Sequence, residues 1–93
     1  MDQTELDRFV AAVGTQFLLP DGGQGFPLTL TEAAPLPVSG RAGGGFRLEF
    51  TGPTEPVLPQ GTYGFALDGE ELPIFVVPVA KDANGTTYEA IFN

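Results

Sequence analysis

The feature that most constrains this chain is a run of period-two alternation through its second half. Phe46, Leu48 and Phe50 alternate with Arg47, Glu49 and Thr51, and Tyr63, Phe65 and Leu67 alternate with smaller neighbours. Ile74 to Val79 is almost wholly apolar, and Tyr88, Ala90 and Phe92 alternate again. Alternation of this kind turns one face of each strand toward a core and the other toward water or a partner. It predicts a C-terminal segment tied into a sheet rather than a loose tail.

The remaining punctuation fits a chain of short strands. Thirteen Gly and nine Pro are spread through 93 residues, a frequency that suits many tight turns. The expected fold is mainly β with one short N-terminal helix and a six-stranded antiparallel meander, closed as a small barrel or a sandwich. It forms a single domain over 1–93, because the length leaves no room for a second core. The strands are expected at about 15–19, 26–32, 46–51, 62–67, 74–79 and 86–92. Pro20-Asp21-Gly22-Gly23 reads as the turn of a first hairpin. Asp68 to Glu71 and Asp82 to Gly85 read as later turns. Pro78 removes a ladder donor and so belongs at an edge or a bulge.

The helix is expected over 4–13. Leu6, Phe9, Val10 and Val13 form one stripe at i, i+3, i+4 and i+7, which predicts a contact with an open face or end of the sheet. Thr4 with Asp7 reads as a variant capping box, Asp2, Glu5 and Asp7 suit the positive end of the helix dipole, and Gly14 suits the C′ position. Residues 33–45 carry Pro at one end and Gly at the other and read as an extended, then flexible, loop.

Charge and residue inventory narrow the function. Twelve acidic residues face Arg8, Arg41, Arg47 and Lys81, a formal charge of −8. Such a surface repels phosphate backbones and anionic lipid heads, which argues against nucleic-acid and membrane partners. The acidity serves solubility or attracts a basic protein. No basic-then-apolar leader opens the chain, no cysteine is present and no apolar run approaches a membrane span, so the expected location is cytoplasmic.

Histidine, cysteine and tryptophan are absent. That removes the commonest general base, the usual nucleophile systems and nearly every zinc arrangement. The lone lysine, Lys81, lies in a polar turn, and Gly43-Gly44-Gly45 lacks the lysine and helix start that a phosphate loop needs. Carboxylate pairs remain as an enzymatic route, but the adjacent Glu70 and Glu71 would point to opposite sides of a strand. Asp82-Ala83-Asn84-Gly85 holds a fragment of a calcium-loop pattern without its later acidic positions, and an Asn-Gly hairpin turn explains it as well. No catalytic, cofactor-binding or metal-binding residue is expected.

Four blocks carry a resemblance. They are Phe46-Arg47-Leu48-Glu49-Phe50-Thr51-Gly52-Pro53, Leu58-Pro59-Gln60-Gly61-Thr62-Tyr63, Phe75-Val76-Val77-Pro78-Val79 and Tyr88-Glu89-Ala90-Ile91-Phe92-Asn93, with Val13-Gly14-Thr15-Gln16-Phe17 near the start. Together they resemble a family of small uncharacterised bacterial proteins ending in a Tyr-Glu-Ala-(Val or Ile)-Phe-Asn signature. The chain departs from that pattern between Gly52 and Thr62 and in the Gly-rich loop. The resemblance implies an association with phage-tail-collar-like genes and hence a structural or assembly role, with no catalytic residues to carry over.

The function expected is therefore a non-enzymatic structural or protein-interaction module, an assembly component of a tail-like or fibre-like bacterial system. The alternatives are a small apolar-ligand-binding barrel and an acidic inhibitor of a basic protein. A protein partner or self-association is expected. Its interface is drawn from Leu36, Val38, Phe75, Val77, Val79 and Ile91, residues that either face outward to a partner or pack back on the domain.

Overall fold

A computed structural model describes residues 3–20, 25–36 and 45–92. Val38, Arg41, the glycines at 43 and 44, the turn at 21–24, Asn93 and the Thr4 cap lie outside the described residues and side chains. Helix α1 (Gln3–Ala11) is followed by strands β1 (Gln16–Leu19), β2 (Phe26–Pro35), β3 (Phe46–Gly52), β4 (Gly61–Leu67), β5 (Glu70–Asp82) and β6 (Gly85–Phe92). The chain is mainly β with one short N-terminal helix, as the alternation predicts.

All neighbouring strands are antiparallel, in the order β1-β2-β3-β6-β5-β4. The outermost strands approach each other, and the ring of Phe17 on β1 meets that of Phe65 on β4 edge-on at 5.6 Å. The sheet is thus a nearly closed barrel. The order refines the expected meander. β1–β2–β3 and β4–β5–β6 are each a meander, but β3 pairs with β6 and β4 lies beside β1, a Greek-key arrangement. Residues 53–60, with Pro53, Pro56 and Pro59, are too long and too restricted for a tight hairpin and cross one end of the barrel instead. The β3–β6 register explains the choice of neighbour. It sets Phe46 opposite Phe92, Leu48 opposite Ala90 and Phe50 opposite Tyr88, so every inward residue meets an inward residue.

The long strands β2 and β5 each serve two neighbours in succession. β2 pairs with β1 over Phe26–Thr29 and with β3 from Thr29 onward, with an irregularity at Thr31. β5 pairs with β4 over Glu70–Val76 and with β6 from Val77 onward, with an irregularity at Val79 beside Pro78. Bulges bend a strand and raise its twist, which is what closing so small a sheet requires. The turn before β5 is tighter than its acidic sequence implies. Only Asp68 and Gly69 form it, with φ of 54° and 81°, the positive values a type I′ turn needs.

The interior is filled by rings. Phe17, Phe50 and Phe65 pack together in the upper half, with centroids 5.0 to 6.2 Å apart. Phe46 stacks on Phe92 at 4.5 Å, and Phe9 of α1 tilts against both. Helix α1 therefore plugs the lower end, burying Leu6, Phe9 and Ala12. Val10 and Val13, which the stripe assigns to the contact, are about half exposed, because the helix seats on the rim and presents one narrow edge to the core. The helix ends at Ala11 and a turn follows; its last residue, Gly14, at φ 97°, donates its N–H to the Leu30 carbonyl at 2.8 Å. The upper end is closed by Leu58, whose N–H donates to the buried Tyr88 hydroxyl at 2.7 Å.

Candidate functional site on the outer face of β5 and β6

Alternation that fills the barrel also fixes what lies outside it. In β5, Ile74 and Val76 point inward and are buried, which turns Phe75 outward; it is 51 % exposed. Val77 is half-buried and sits opposite Glu89. Ile91, two residues beyond Glu89 on the same face of β6, is 48 % exposed. Val79 occupies the bulge and is 50 % exposed, re-aimed as bulged residues commonly are. Of the interface residues read from the sequence, Phe75, Val77, Val79 and Ile91 thus gather on neighbouring strands. Leu36 does not join them. It is half-buried at the end of β2, where its N–H donates to the Gly45 carbonyl at 2.9 Å, and Val38 lies outside the described residues.

This face sits where β5 parts from β6. The β5–β6 ladder ends at Val77 and Glu89, and upstream of it β5 pairs with β4 alone among the described residues. A two-residue turn makes Leu67 and Glu70 a hydrogen-bonded pair, and such pairs alternate along an antiparallel ladder. Glu70, Leu72, Ile74 and Val76 therefore direct their backbone groups to β4. Glu71, Pro73 and Phe75 direct theirs away from it. Pro73 stands in the middle of that free side and has no N–H to offer, a blunted edge that resists pairing with a foreign strand. Contact on this face runs through side chains.

A charged network borders the apolar residues. Arg47, opposite Ile91, points outward from β3 and binds three carboxylates: Nε to Glu89 Oε2 at 2.9 Å, Nη1 to Glu32 Oε1 at 3.3 Å and Nη2 to Glu49 Oε2 at 3.3 Å. Glu49 and Glu89 are direct cross-strand neighbours, a repulsive pair that the guanidinium between them offsets. The Arg47 pKa is raised, chiefly by the hydrogen bond to Glu89. Three carboxylates against one guanidinium leave the cluster net negative. Arg8 is likewise bound to Asp68 and Glu70, and Lys81 to Glu55 at 2.6 Å, so each described cation is already engaged by acids. The exposed Lys81 ammonium holds Glu55 below the usual carboxylate range, first by its hydrogen bond and then by its charge.

Among the described residues no three acidic side chains converge as a metal-binding group, and no helix is long and apolar enough to cross a membrane. Asp82 Oδ1 accepts the Asn84 N–H at 2.8 Å, so the calcium-like fragment is used as a side-chain-stabilised turn. A surface cleft of about 450 Å³ opens between the end of α1 and the end of β4, lined by Arg8, Ala11, Ala12, Thr15, Leu67 and Asp68 among others. Arg8 and Asp68 there are bound to each other.

Sequence reasoning overlooked the Arg47 network. Its signal was a lone Arg at an outward position of an alternating strand, but the three acids that meet it come from two other strands and its own. Leu18, more exposed than Phe75, Val79 or Ile91, is not among the residues the sequence singles out; it is simply the outward member of the Phe17–Leu19 alternation.

A sequence-family profile described as a domain of unknown function, DUF6916, matches residues 4–92. No curated protein and no solved structure matches the chain.

Proposed function

We propose, for a chain that belongs to the DUF6916 family of domains of unknown function, that it acts without catalysis as a protein-interaction module whose contact surface is the outer face of β5 and β6. The observation that carries this reading is the gathering of Phe75, Val79 and Ile91, each about half exposed, around Val77 at the parting of two strands. Large apolar side chains grouped on an outer sheet face mark contact sites more often than scattered ones do. A filled interior weighs against a ligand-binding barrel, since the rings of Phe17, Phe50 and Phe65 occupy the space a ligand would need. The absence of histidine and cysteine from the sequence and the commitment of the described cations, Arg8, Arg47 and Lys81, to ion pairs weigh against catalysis. The resemblance to proteins encoded beside tail-collar-like genes supports an assembly role in a tail-like or fibre-like bacterial particle.

The test compares the wild-type chain with a Phe75→Ser, Ile91→Ser double variant of equal thermal stability. Light scattering and affinity capture from cells that make the protein natively would be run on both. A defined oligomer or partner that the double variant loses supports the reading. A wild-type chain that stays monomeric and captures nothing, yet is raised in melting temperature by a metabolite, refutes it.

A further inference from the structure

The same face has a chemistry that narrows its partner, and this narrowing rests on the interaction-surface reading above. Its centre is apolar: Phe75, Val77 and Ile91. Its border is acidic: the Glu32–Glu49–Glu89 cluster shares one guanidinium, and Glu89 stands directly opposite Val77. A partner seated on Val77 and Ile91 meets carboxylates that Arg47 only partly neutralises.

Two occupants fit poorly. A second copy would oppose like to like, bringing a formal −8 against −8 and a second set of under-neutralised carboxylates to the border. Like-charge juxtaposition at an interface costs affinity and slows encounter. An added strand would have to pair with β5 through Glu71, Pro73 and Phe75, and Pro73 withholds the central donor. What fits is a surface that brings cations to the border and apolar side chains to the centre. Arg or Lys stems cover apolar area while their heads reach carboxylates, and a cation can also lie over the exposed face of Phe75.

We infer that the β5–β6 outer face docks a cationic protein partner, an apolar segment flanked by Lys or Arg whose side chains reach the Glu32–Glu49–Glu89 border while its apolar residues cover Phe75 and Ile91.

The experiment uses the full chain and three synthetic peptides: one with an apolar core flanked by lysines, one with the same core flanked by glutamates, and one with lysines flanking a serine core. Binding is read by fluorescence anisotropy at about 20 and about 300 mM NaCl, a range that shortens the Debye length several-fold. The lysine-flanked apolar peptide is expected to bind, and to weaken about tenfold at the higher salt. It is expected to weaken about tenfold again in Phe75→Ser and in Ile91→Ser, whereas Val13→Ser, an exposed apolar change at the end of α1, leaves it unaltered. Melting curves confirm that each variant is folded, and Glu32→Gln, on an exposed side chain, tests the charged border without touching the apolar centre. Equal binding of the glutamate-flanked peptide overturns the charge assignment but leaves the interaction surface standing. Equal binding of the serine-core peptide, or indifference to Phe75→Ser, reduces the effect to general attraction and overturns the inference. So does the absence of binding by every peptide. A peptide-free dimer that Phe75→Ser dissociates makes the occupant a second copy, which overturns the inference while upholding the surface.

Discussion

The Tyr88 hydroxyl is wholly buried and accepts the Leu58 N–H at 2.7 Å, so one polar atom holds down the segment that closes the upper end of the barrel. Tyr88→Phe keeps the ring and strands that donor. A buried unpaired N–H costs about 1–3 kcal/mol, and urea unfolding is expected to show a loss of that size with the slope unchanged. Two positions along in the opposite direction lies the reverse case. Thr86 is buried, and its Oγ1 has no hydrogen-bond partner among the described residues. Thr86→Val keeps the branched shape, removes the unsatisfied hydroxyl and is expected to be neutral or to gain up to about 1 kcal/mol by the same measurement. The neighbouring Gly85 admits no side chain, since a Cβ there would stand 2.4 Å from the Gly52 carbonyl oxygen. Inward and outward assignments were legible at this scale: Phe46, Leu48, Phe50, Tyr88 and Ala90 are all buried, as their alternation requires. Partners drawn from distant segments, such as Tyr88 with Leu58 or Arg47 with Glu32, were not, because no local pattern encodes them.

Helix α1 and strand β5 show what local patterning does and does not fix. The helix lies where its apolar spacing puts it but stops at Ala11, two residues short of the expected end, with a turn over Ala12–Gly14, and the spacing does not say that it meets a rim. Its grip is therefore concentrated in Leu6, Phe9 and Ala12, with Arg8 tethered to the β4–β5 turn. Phe9→Ala removes a ring that touches both Phe46 and Phe92, and is expected to cost about 3–5 kcal/mol in thermal or chemical unfolding. A much smaller loss would mean that the helix is an ornament on a barrel closed by other means. For β5 the sequence reading stopped short at both ends. Glu70 and Glu71 carry low strand propensity, and Lys81 and Asp82 resemble a turn, yet pairing with β4 and β6 overrides those preferences. The sequence leaves the exposure of Phe75 and Val79 open for the same reason, since which face of an almost continuously apolar strand is covered depends on its neighbours.

Across the whole molecule, the class of fold follows from the alternation and the strand order does not. Each of the six strands lies within a few residues of its expected place, with β2 running on to Pro35 and β5 extending at both ends, whereas the pairing of β3 with β6 needs the register that brings Phe46 to Phe92. The resulting body keeps Phe9, Phe17, Phe46, Phe50, Phe65 and Tyr88 inside, its described cations tied to acids, and an apolar stripe centred on Phe75 on one outer face. The most direct measurement is a titration of the lysine-flanked apolar peptide into the isotope-labelled full chain, followed by amide and methyl chemical shifts. Perturbations confined to residues 73–79 and 89–91 and to the Glu32, Arg47 and Glu49 border, with the core rings unmoved, are expected. Shifts centred on Phe17, Phe50 and Phe65, or on the cleft between Ala11 and Leu67, would place the binding site inside or at the seam of the barrel and contradict the reading of the outer face.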